Sequence, residues 1–236
     1  MLAELLGSLV FVSAVLGASV PGPGEASTGP LYPALAAGMV AVALGHCFGE
    51  ISGAQVNPAV TLSLLATRRL DLVRALVYVG AQCLGASLGA GALYLALPHK
   101  TTADCFVSRV PLEVNAAQAL GMELLSTFQL VFTVFSVEDH RRRENTEPGN
   151  LAIGFSLSAG VLIGVYWIGP VLGAVLAGVS HEFFFAPSAS RQKLVACLTC
   201  KDIEMVEVTS VSRSSLSTVT QTAMRAKQAA SGGKHS

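Results

Sequence analysis

The sequence predicts an all-α membrane protein, a helical bundle of two inverted copies with one re-entrant half-helix and an incomplete second copy. The first observation is composition, because 52% of the 236 residues are apolar and only 13% are charged, whereas about a quarter are charged in soluble domains. The second is a series of long apolar runs, and the third is an internal repeat. A net charge of zero indicates that nucleic acid is not a partner.

Apolar runs mark the predicted spanning segments, since a helix needs about 20 residues to cross a bilayer. The runs cover residues 2–20, 33–49, 73–97, 116–137 and 151–186. Glu4 lies inside the first run and no basic residue precedes it, so we expect a retained helix instead of a signal peptide. The last run is short for two crossings. We expect a cramped hairpin that turns near residues 164–170, because one long helix would place the basic tail outside.

A shorter segment at residues 58–67 predicts a half-helix between the second and third runs. Asn57 is a good N-cap and Pro58 suits a first helical position, so a helix is expected from Pro58 to about Ala66. Irregular backbone survives at membrane depth only beside a cavity or inside protein. The free N–H groups and partial positive charge at the start of this helix would then face a cavity. An ordinary Asn-Pro loop is the alternative.

The ten residues Ser52–Thr61, SGAQVNPAVT, resemble the first Asn-Pro-Ala box of the aquaporin, or major intrinsic protein, family. The resemblance extends from about Ala3 to Pro187. It implies an aquaporin-like bundle in the lipid bilayer, assembled as a homotetramer with one pore per subunit. It also implies passive transport of water, or of small neutral solutes such as glycerol, without a cofactor.

The resemblance also assigns roles to individual residues. The expected pore residues, which would meet passing water, are Asn57, Pro58 and Ala59. Glu4 and Glu123 are expected to accept hydrogen bonds from re-entrant backbone, with support from Gln82, and acids inside a membrane are costly and usually functional. The positions that narrow the pore in relatives correspond to Ala37 and Val161, with ordinary packing as the alternative. Small apolar residues there, without the arginine of the family's filter, predict a wider passage.

An internal repeat predicts that the two halves of the chain enter the membrane from opposite sides. The matched stretches are Ala3–Ser8 with Met122–Thr127 and Gln82–Ala86 with Pro170–Ala174. Gly38 and Gly85 lie 47 residues apart in the first copy, but their counterparts Gly154 and Gly173 lie 19 apart in the second. About 28 residues are therefore absent, enough for one loop and one half-helix, and no second Asn-Pro-Ala occurs.

The sequence offers no pattern for catalysis or metal binding, so we do not expect an enzyme. The histidines are scattered, and the five cysteines lack the spacing of a disulfide framework or a metal site. Residues 1–187 are expected to form the channel domain and residues 188–236 a disordered cytoplasmic tail, in a protein of the plasma membrane. A non-conducting variant, which misfolds or regulates full-length tetramers, is the alternative function.

Overall fold

The computed structural model describes residues 1–22, 27–97, 114–139, 149–163 and 169–185. These residues form seven α-helices, the last of which continues as a short π-helix, His181–Phe185. The helices are α1 (Leu2–Ser19), α2 (Leu31–Ser52), α3 (Pro58–Ala66), α4 (Leu72–Ala96), α5 (Ala116–Val137), α6 (Gly149–Ile163) and α7 (Gly169–Ser180). Most of the expected turn, at residues 164–168, and the expected tail lie outside the described residues.

Helix length separates the spanning segments from the half-helix. In the described part of the chain, α1, α2, α4 and α5 are long and apolar enough to cross a membrane, and α6 and α7 are shorter apolar helices. By contrast, α3 has nine residues, which is about 13 Å at 1.5 Å per residue. The hydrocarbon core of a bilayer is about 30 Å thick, so α3 is less than half the length of a span.

Capping residues set where several helices begin and end. Asp71 accepts a hydrogen bond from the backbone N–H of Arg74 at 2.9 Å and starts α4. Asn115 and Gln118 form a reciprocal capping box at the start of α5, with bonds of 2.9 and 3.0 Å. Helix α2 ends at Ser52 because the next residue, Gly53, has a φ of 88°, the left-handed conformation that terminates a helix and favours glycine. The loop before α3 begins there.

The two copies pack their helices in the same way. In the first copy, α1 and α4 run parallel, with Gly85 directly against the backbone carbonyl of Leu5. In the second copy, α5 and α7 make the equivalent contact between Gly173 and the carbonyl of Leu124. A Cβ atom at either glycine would overlap that carbonyl, so close approach of the helices requires glycine at both positions. Leu5 with Leu124, and Gly85 with Gly173, are counterparts in the sequence repeat.

The copies meet where α2 and α6 pack in opposite directions. A Cβ atom on Gly38 would lie 2.5 Å from the carbonyl oxygen of Gly154, and one on Gly154 would lie 2.6 Å from that of Gly38. Further along the same interface, Gly45 packs against Asn150. Because Gly38 and Gly154 are repeat counterparts, their reciprocal contact places them on either side of the axis that relates the two copies.

Helices α6 and α7 run in opposite directions, as the hairpin interpretation expects. Helix α6 is antiparallel to α5, since Gly160 lies beside Ser126 while Thr133 donates from Oγ1 to Oγ of Ser156 at 3.1 Å. Helix α7 is parallel to α5, because Gly173 lies against Leu124 and Gly178, further along α7, lies against the ring of Phe135, further along α5. The last apolar run therefore divides into two helices instead of forming one long span.

The main apolar core of the described residues forms around α3. Its buried members come from α3, α5 and α7, and they are Ala59, Val60, Leu64, Leu130, Val131, Val134, Phe135, Ala174 and Ala177. Helix α3 also packs against α4. Helices of both copies therefore surround α3, which argues against the ordinary-loop alternative and places the start of a helix inside the bundle.

Candidate pore site at the start of the half-helix

Asn57 begins α3, and among the described residues its side-chain amide group has no acceptor for its N–H groups. Its backbone is extended, and its Oδ1 accepts a hydrogen bond from the backbone N–H of Ala59 at 2.9 Å. Pro58 occupies the first helical position, where no backbone N–H is needed. Across the residues that the structure describes, Nδ2 of Asn57 donates to no protein acceptor. The side chain is half-buried, so this group is available to an oxygen atom of a passing molecule.

The loop that leads into α3 has a strained backbone. Gly53, Ala54 and Val56 have φ values of 88°, 46° and 47°. The left-handed region costs a residue with a side chain roughly 1–2 kcal/mol, and such residues persist only where neighbouring contacts hold them there. The contacts that hold this loop come from a carboxylate on α1.

Glu4 of α1 is fully buried and binds the loop from behind. Its Oε1 accepts hydrogen bonds from Oγ of Ser52 at 2.6 Å and from the backbone N–H of Gln55 at 3.1 Å. Its Oε2 accepts from the backbone N–H of Val56 and from Nε2 of Gln82, both at 2.8 Å. Four donors satisfy a carboxylate that would otherwise be very costly to bury. The structure thus brings together the loop and two of the residues that the sequence singled out, Glu4 and Gln82.

Thr61 connects the half-helix to the same hydrogen-bond network. Its hydroxyl, which is fully buried, donates to Oε1 of Gln55 at 2.7 Å and accepts from Nε2 of Gln82 at 3.0 Å. The loop, α3 and α4 are therefore fixed to one another through side chains. Sequence reasoning did not assign roles to Ser52, Gln55 or Thr61. Their signal is that they are polar residues within the Asn-Pro-Ala box.

The other end of the half-helix is held by the second copy. Arg69, three residues after α3, donates through Nη2 and Nε to Oε2 of Glu182 at 2.6 and 3.2 Å. Its Nη1 lies 3.9 Å from Oε2 of Glu138, and its guanidinium carbon lies 4.5 Å from the ring centre of Phe135. These four residues are termed the Arg69 clamp. The clamp joins the chain after α3 to the ends of α5 and α7, a role that sequence reasoning missed.

Glu123, the counterpart of Glu4, has different neighbours. It is buried on α5, and Ser126 donates from Oγ to its backbone carbonyl at 3.0 Å. The repeat places Pro170 at the position of Gln82, and proline has no side-chain amide to donate. The support of a re-entrant loop by Glu123 stays a prediction.

The two expected filter positions lie on α2 and α6. Ala37 has no exposed surface and is next to Gly38, at the contact between the copies. Val161 is half-buried. The burial of Ala37 is the arrangement that the packing alternative expects. A role of either residue in narrowing a passage stays a prediction.

Known proteins match both the sequence and the fold. The sequence profile of the family described as Major intrinsic protein matches residues 1–166. Aquaporin-4 of Homo sapiens is 36% identical over 215 residues, which cover 78% of this chain and 67% of that protein. This chain belongs to the major intrinsic protein family. Aquaporin-5 of Homo sapiens is 33% identical over 215 residues, covering 79% of this chain and 81% of that protein.

A solved structure shares the fold of this family member. The X-ray structure of the aquaglyceroporin from Plasmodium falciparum superposes with a TM-score of 0.64 at 18% identity, covering 80% of this chain and 96% of that one. The predicted fold class, an aquaporin-like helical bundle, is therefore confirmed. Together with the four long apolar helices of the described residues, the relatives show a multi-pass membrane protein.

The alignments also measure what this family member lacks. Aquaporin-4 of Rattus norvegicus aligns over 221 residues with 81% of the 236 residues here, which is about 191, so about 30 aligned positions have no residue in this chain. The same comparison with Aquaporin-5, 215 residues against 79% or about 186, gives about 29. Both values are close to the 28 or so residues that the internal repeat indicates are absent.

Proposed function

We propose that this chain is a passive transmembrane channel for water, with small neutral molecules such as glycerol as the next solute class, and not an enzyme. The observation that carries the proposal is Asn57, an uncommitted amide donor at the start of a helix that begins inside the bundle. The relatives named aquaporins support it, as does membership of the family. Transport of this kind makes and breaks no covalent bond, so it needs no cofactor.

The proposed mechanism depends on two sources of positive electrostatic potential that lie at the same place. The start of α3 carries the partial positive charge of a helix N-terminus, and Nδ2 of Asn57 can donate to the oxygen of a water molecule. Both favour a water that turns its oxygen toward Asn57 and its hydrogens away. The same potential opposes cations and hydronium. Neutral solutes would therefore pass and charged ones would be disfavoured.

The buried network fixes the position of these donors. Glu4 holds the strained loop, and Thr61 and Gln82 hold α3 against it. A pore site placed by rigid neighbours keeps its donors in position without reorganisation as each solute passes. This is the function that we assign to Glu4 and Gln82, with Pro58 and Ala59 as the turn that presents Asn57.

We further propose how the channel is arranged in the cell. Residues 1–187 form the channel domain, and residues 188–236 form a cytoplasmic tail. Arg68 and Arg69 follow the half-helix and a basic run follows α5, which under the positive-inside rule places both on the cytoplasmic side. Assembly as a homotetramer in the plasma membrane follows from the family resemblance.

The test is osmotic water permeability of vesicles that contain the purified full-length chain. We expect faster shrinkage than in empty vesicles, and we expect Asn57→Leu to slow it. The matched control is Asn115→Leu, because Asn115 caps α5 through the same type of bond but on an exposed site. Shrinkage equal to that of empty vesicles, in protein shown to be inserted by protease protection, would reject the channel.

The second candidate is a non-conducting partner of full-length relatives, and the absence of about 28 residues is what favours it. In that case the chain alone would not accelerate shrinkage. It would lower the permeability of Aquaporin-4 when both are reconstituted together. An unchanged Aquaporin-4 permeability would exclude this candidate.

A further inference from the structure

Arg74 lies at the end of α4 where that helix enters the membrane. Helix α4 has 25 residues and is therefore about 37 Å long, whereas the hydrocarbon core of a bilayer is about 30 Å thick. Arg74 belongs to the first turn of the helix and is exposed. Its side chain is therefore at the level of the lipid headgroups.

Tyr78, one turn further along α4, holds the guanidinium group of Arg74 in place. Tyr78 is 4% exposed, and its hydroxyl oxygen accepts hydrogen bonds from Nε and Nη2 of Arg74 at 3.1 and 2.8 Å. The guanidinium carbon lies 5.1 Å from the centre of the tyrosine ring, which is a cation–π contact. The cation is therefore fixed against the helix instead of extending freely into water.

This arrangement leaves most of the donors of the arginine available. A guanidinium group carries five N–H groups, and Tyr78 accepts from only two of them. Among the residues that the structure describes, no carboxylate forms a salt bridge with Arg74, whereas Arg69 is paired with Glu182. Arg74 therefore presents a positive charge and a planar set of N–H groups, which match the oxygens of a phosphate.

The surface beside Arg74 is apolar and open. Leu72, Val73 and Leu76 are 59%, 71% and 64% exposed. One turn after Leu76, a Cβ atom on Gly80 would meet no atom within 4 Å. Because α4 is long and apolar enough to span the membrane, we expect this face to contact acyl chains. A ligand that fits both Arg74 and this face has a phosphate joined to an apolar chain, as a phospholipid does.

The charges of the segment that contains Arg74 favour an anionic headgroup. Residues 68–74 carry three arginines and one aspartate. Arg69 is paired with Glu182, which lies outside the segment, so two arginines and one aspartate remain and their charges sum to +1. A headgroup with one net negative charge neutralises this charge, and a zwitterionic headgroup does not. Each arginine near an anionic membrane surface raises affinity about fivefold.

We propose that Arg74, Tyr78 and the exposed face of α4 form a binding site for an anionic phospholipid, termed the Arg74 lipid site. Arg74 donates to two phosphate oxygens, Tyr78 positions the arginine, and an acyl chain lies along Leu76 and Gly80. The orientation given under the proposed function places the site in the cytoplasmic leaflet, where anionic lipids are concentrated. That placement rests on the proposed function, whereas the binding itself does not.

The experiment titrates the full-length chain in detergent with phosphatidylserine, or with phosphatidylcholine of the same acyl chains, and counts bound lipids by native mass spectrometry. We expect the first phosphatidylserine to bind more tightly than phosphatidylcholine. Arg74→Gln should lower the affinity for phosphatidylserine about fivefold and abolish the preference. The matched control is Arg68→Gln, which removes the same charge from the same segment and should retain most of the preference.

Arg74→Lys is the second variant, in case Arg74→Gln does not fold. Lysine keeps the charge but lacks the planar pair of N–H groups that binds two phosphate oxygens. Its affinity for phosphatidylserine should therefore be lower than that of the unchanged chain and higher than its affinity for phosphatidylcholine. Phosphatidylserine affinity that is unchanged in both Arg74 variants would overturn the inference.

Two further results would also overturn it. Equal losses in Arg68→Gln and Arg74→Gln would show a general electrostatic effect instead of a site at Arg74. Displacement of phosphatidylserine by an equal concentration of inorganic phosphate would show that the arginine takes a free anion and not a lipid. Because lipid binding in detergent does not require transport, its failure would leave the proposed channel standing, and failure of the channel would leave the Arg74 lipid site standing.

Discussion

The first copy supplies the half-helix, and the second copy supplies much of the surface on which it packs. The loop before α3 is held by Glu4 of its own copy, whereas the flank of α3 is buried by α5 and α7 of the other copy. The chain after α3 is again held by the second copy, through Arg69 and Glu182. Both copies are therefore needed to hold α3 in place, one at the loop before it and the other along its flank and after its end.

The largest effect is expected from Glu4→Gln, which tests whether the first copy alone fixes the loop. Glutamine would direct an N–H₂ group at the donors that Glu4 now accepts from, and buried donors without acceptors cost about 1–3 kcal/mol each. We expect a loss of about 2–4 kcal/mol in unfolding free energy, measured by denaturant titration of detergent-solubilised protein. Glu50→Gln, at an exposed site on α2, is the control and should change stability little. Similar losses in both variants would contradict the role given to Glu4.

A second prediction concerns a contact in which the two copies are alike. Gly85→Ala and Gly173→Ala each place a Cβ atom against a backbone carbonyl of the neighbouring helix, which costs about 1–3 kcal/mol through overpacking. We expect similar losses of thermal stability in the two variants. Gly80→Ala is the control, because a Cβ there meets no atom within 4 Å and alanine favours a helix by about 1 kcal/mol over glycine. A loss confined to one copy would show that the copies do not pack equivalently.

The Arg69 clamp gives a third prediction, because it crosses between the copies. The side chains of Arg69 and Glu182 are 29% and 14% exposed, which is intermediate between a surface ion pair and a buried one. We therefore expect a coupling free energy of about 1 kcal/mol. A double-mutant cycle with Arg69→Leu and Glu182→Gln measures it. The control cycle combines Arg74→Leu with Glu182→Gln, because Arg74 donates to the hydroxyl of Tyr78 within α4 and not to Glu182. Equal coupling in the two cycles would show that the measured value is not specific to the clamp.

Local patterns made much of the fold and one side of the site predictable. Apolar runs gave the spans, and the Asn-Pro-Ala box with its approach loop gave the half-helix. Glu4 and Gln82 could be named before any geometry was known only because of the resemblance to the family. The Arg69 clamp could not be predicted, because 113 residues separate Arg69 from Glu182. Nothing local in the sequence indicates that pairing.

The sequence also could not show which residues of a helix are buried. Whether Ala37 faces a passage or packs in the contact between copies depends on the rotation of α2, which small apolar residues on every side of that helix leave undetermined. Leu130 is 7% exposed, whereas Phe11, its counterpart in the repeat, is half-buried. A repeat shows which positions are equivalent, but only coordinates show that equivalent positions differ in burial.

The smallest effect on stability is expected from Asn57→Asp, which tests the pore site itself. Aspartate keeps the oxygen that caps α3 through Ala59, and both residues are good N-caps, so the unfolding free energy should change by less than about 1 kcal/mol. The change replaces the free amide donor with a negative charge, which would attract cations to the start of the half-helix. In a channel, sodium leak measured under voltage clamp should therefore rise.

Asn115→Asp makes the same change at the exposed cap of α5 and should leave sodium leak unchanged. An unchanged leak in Asn57→Asp, in protein that still passes water, would remove Asn57 from the proposed cation barrier.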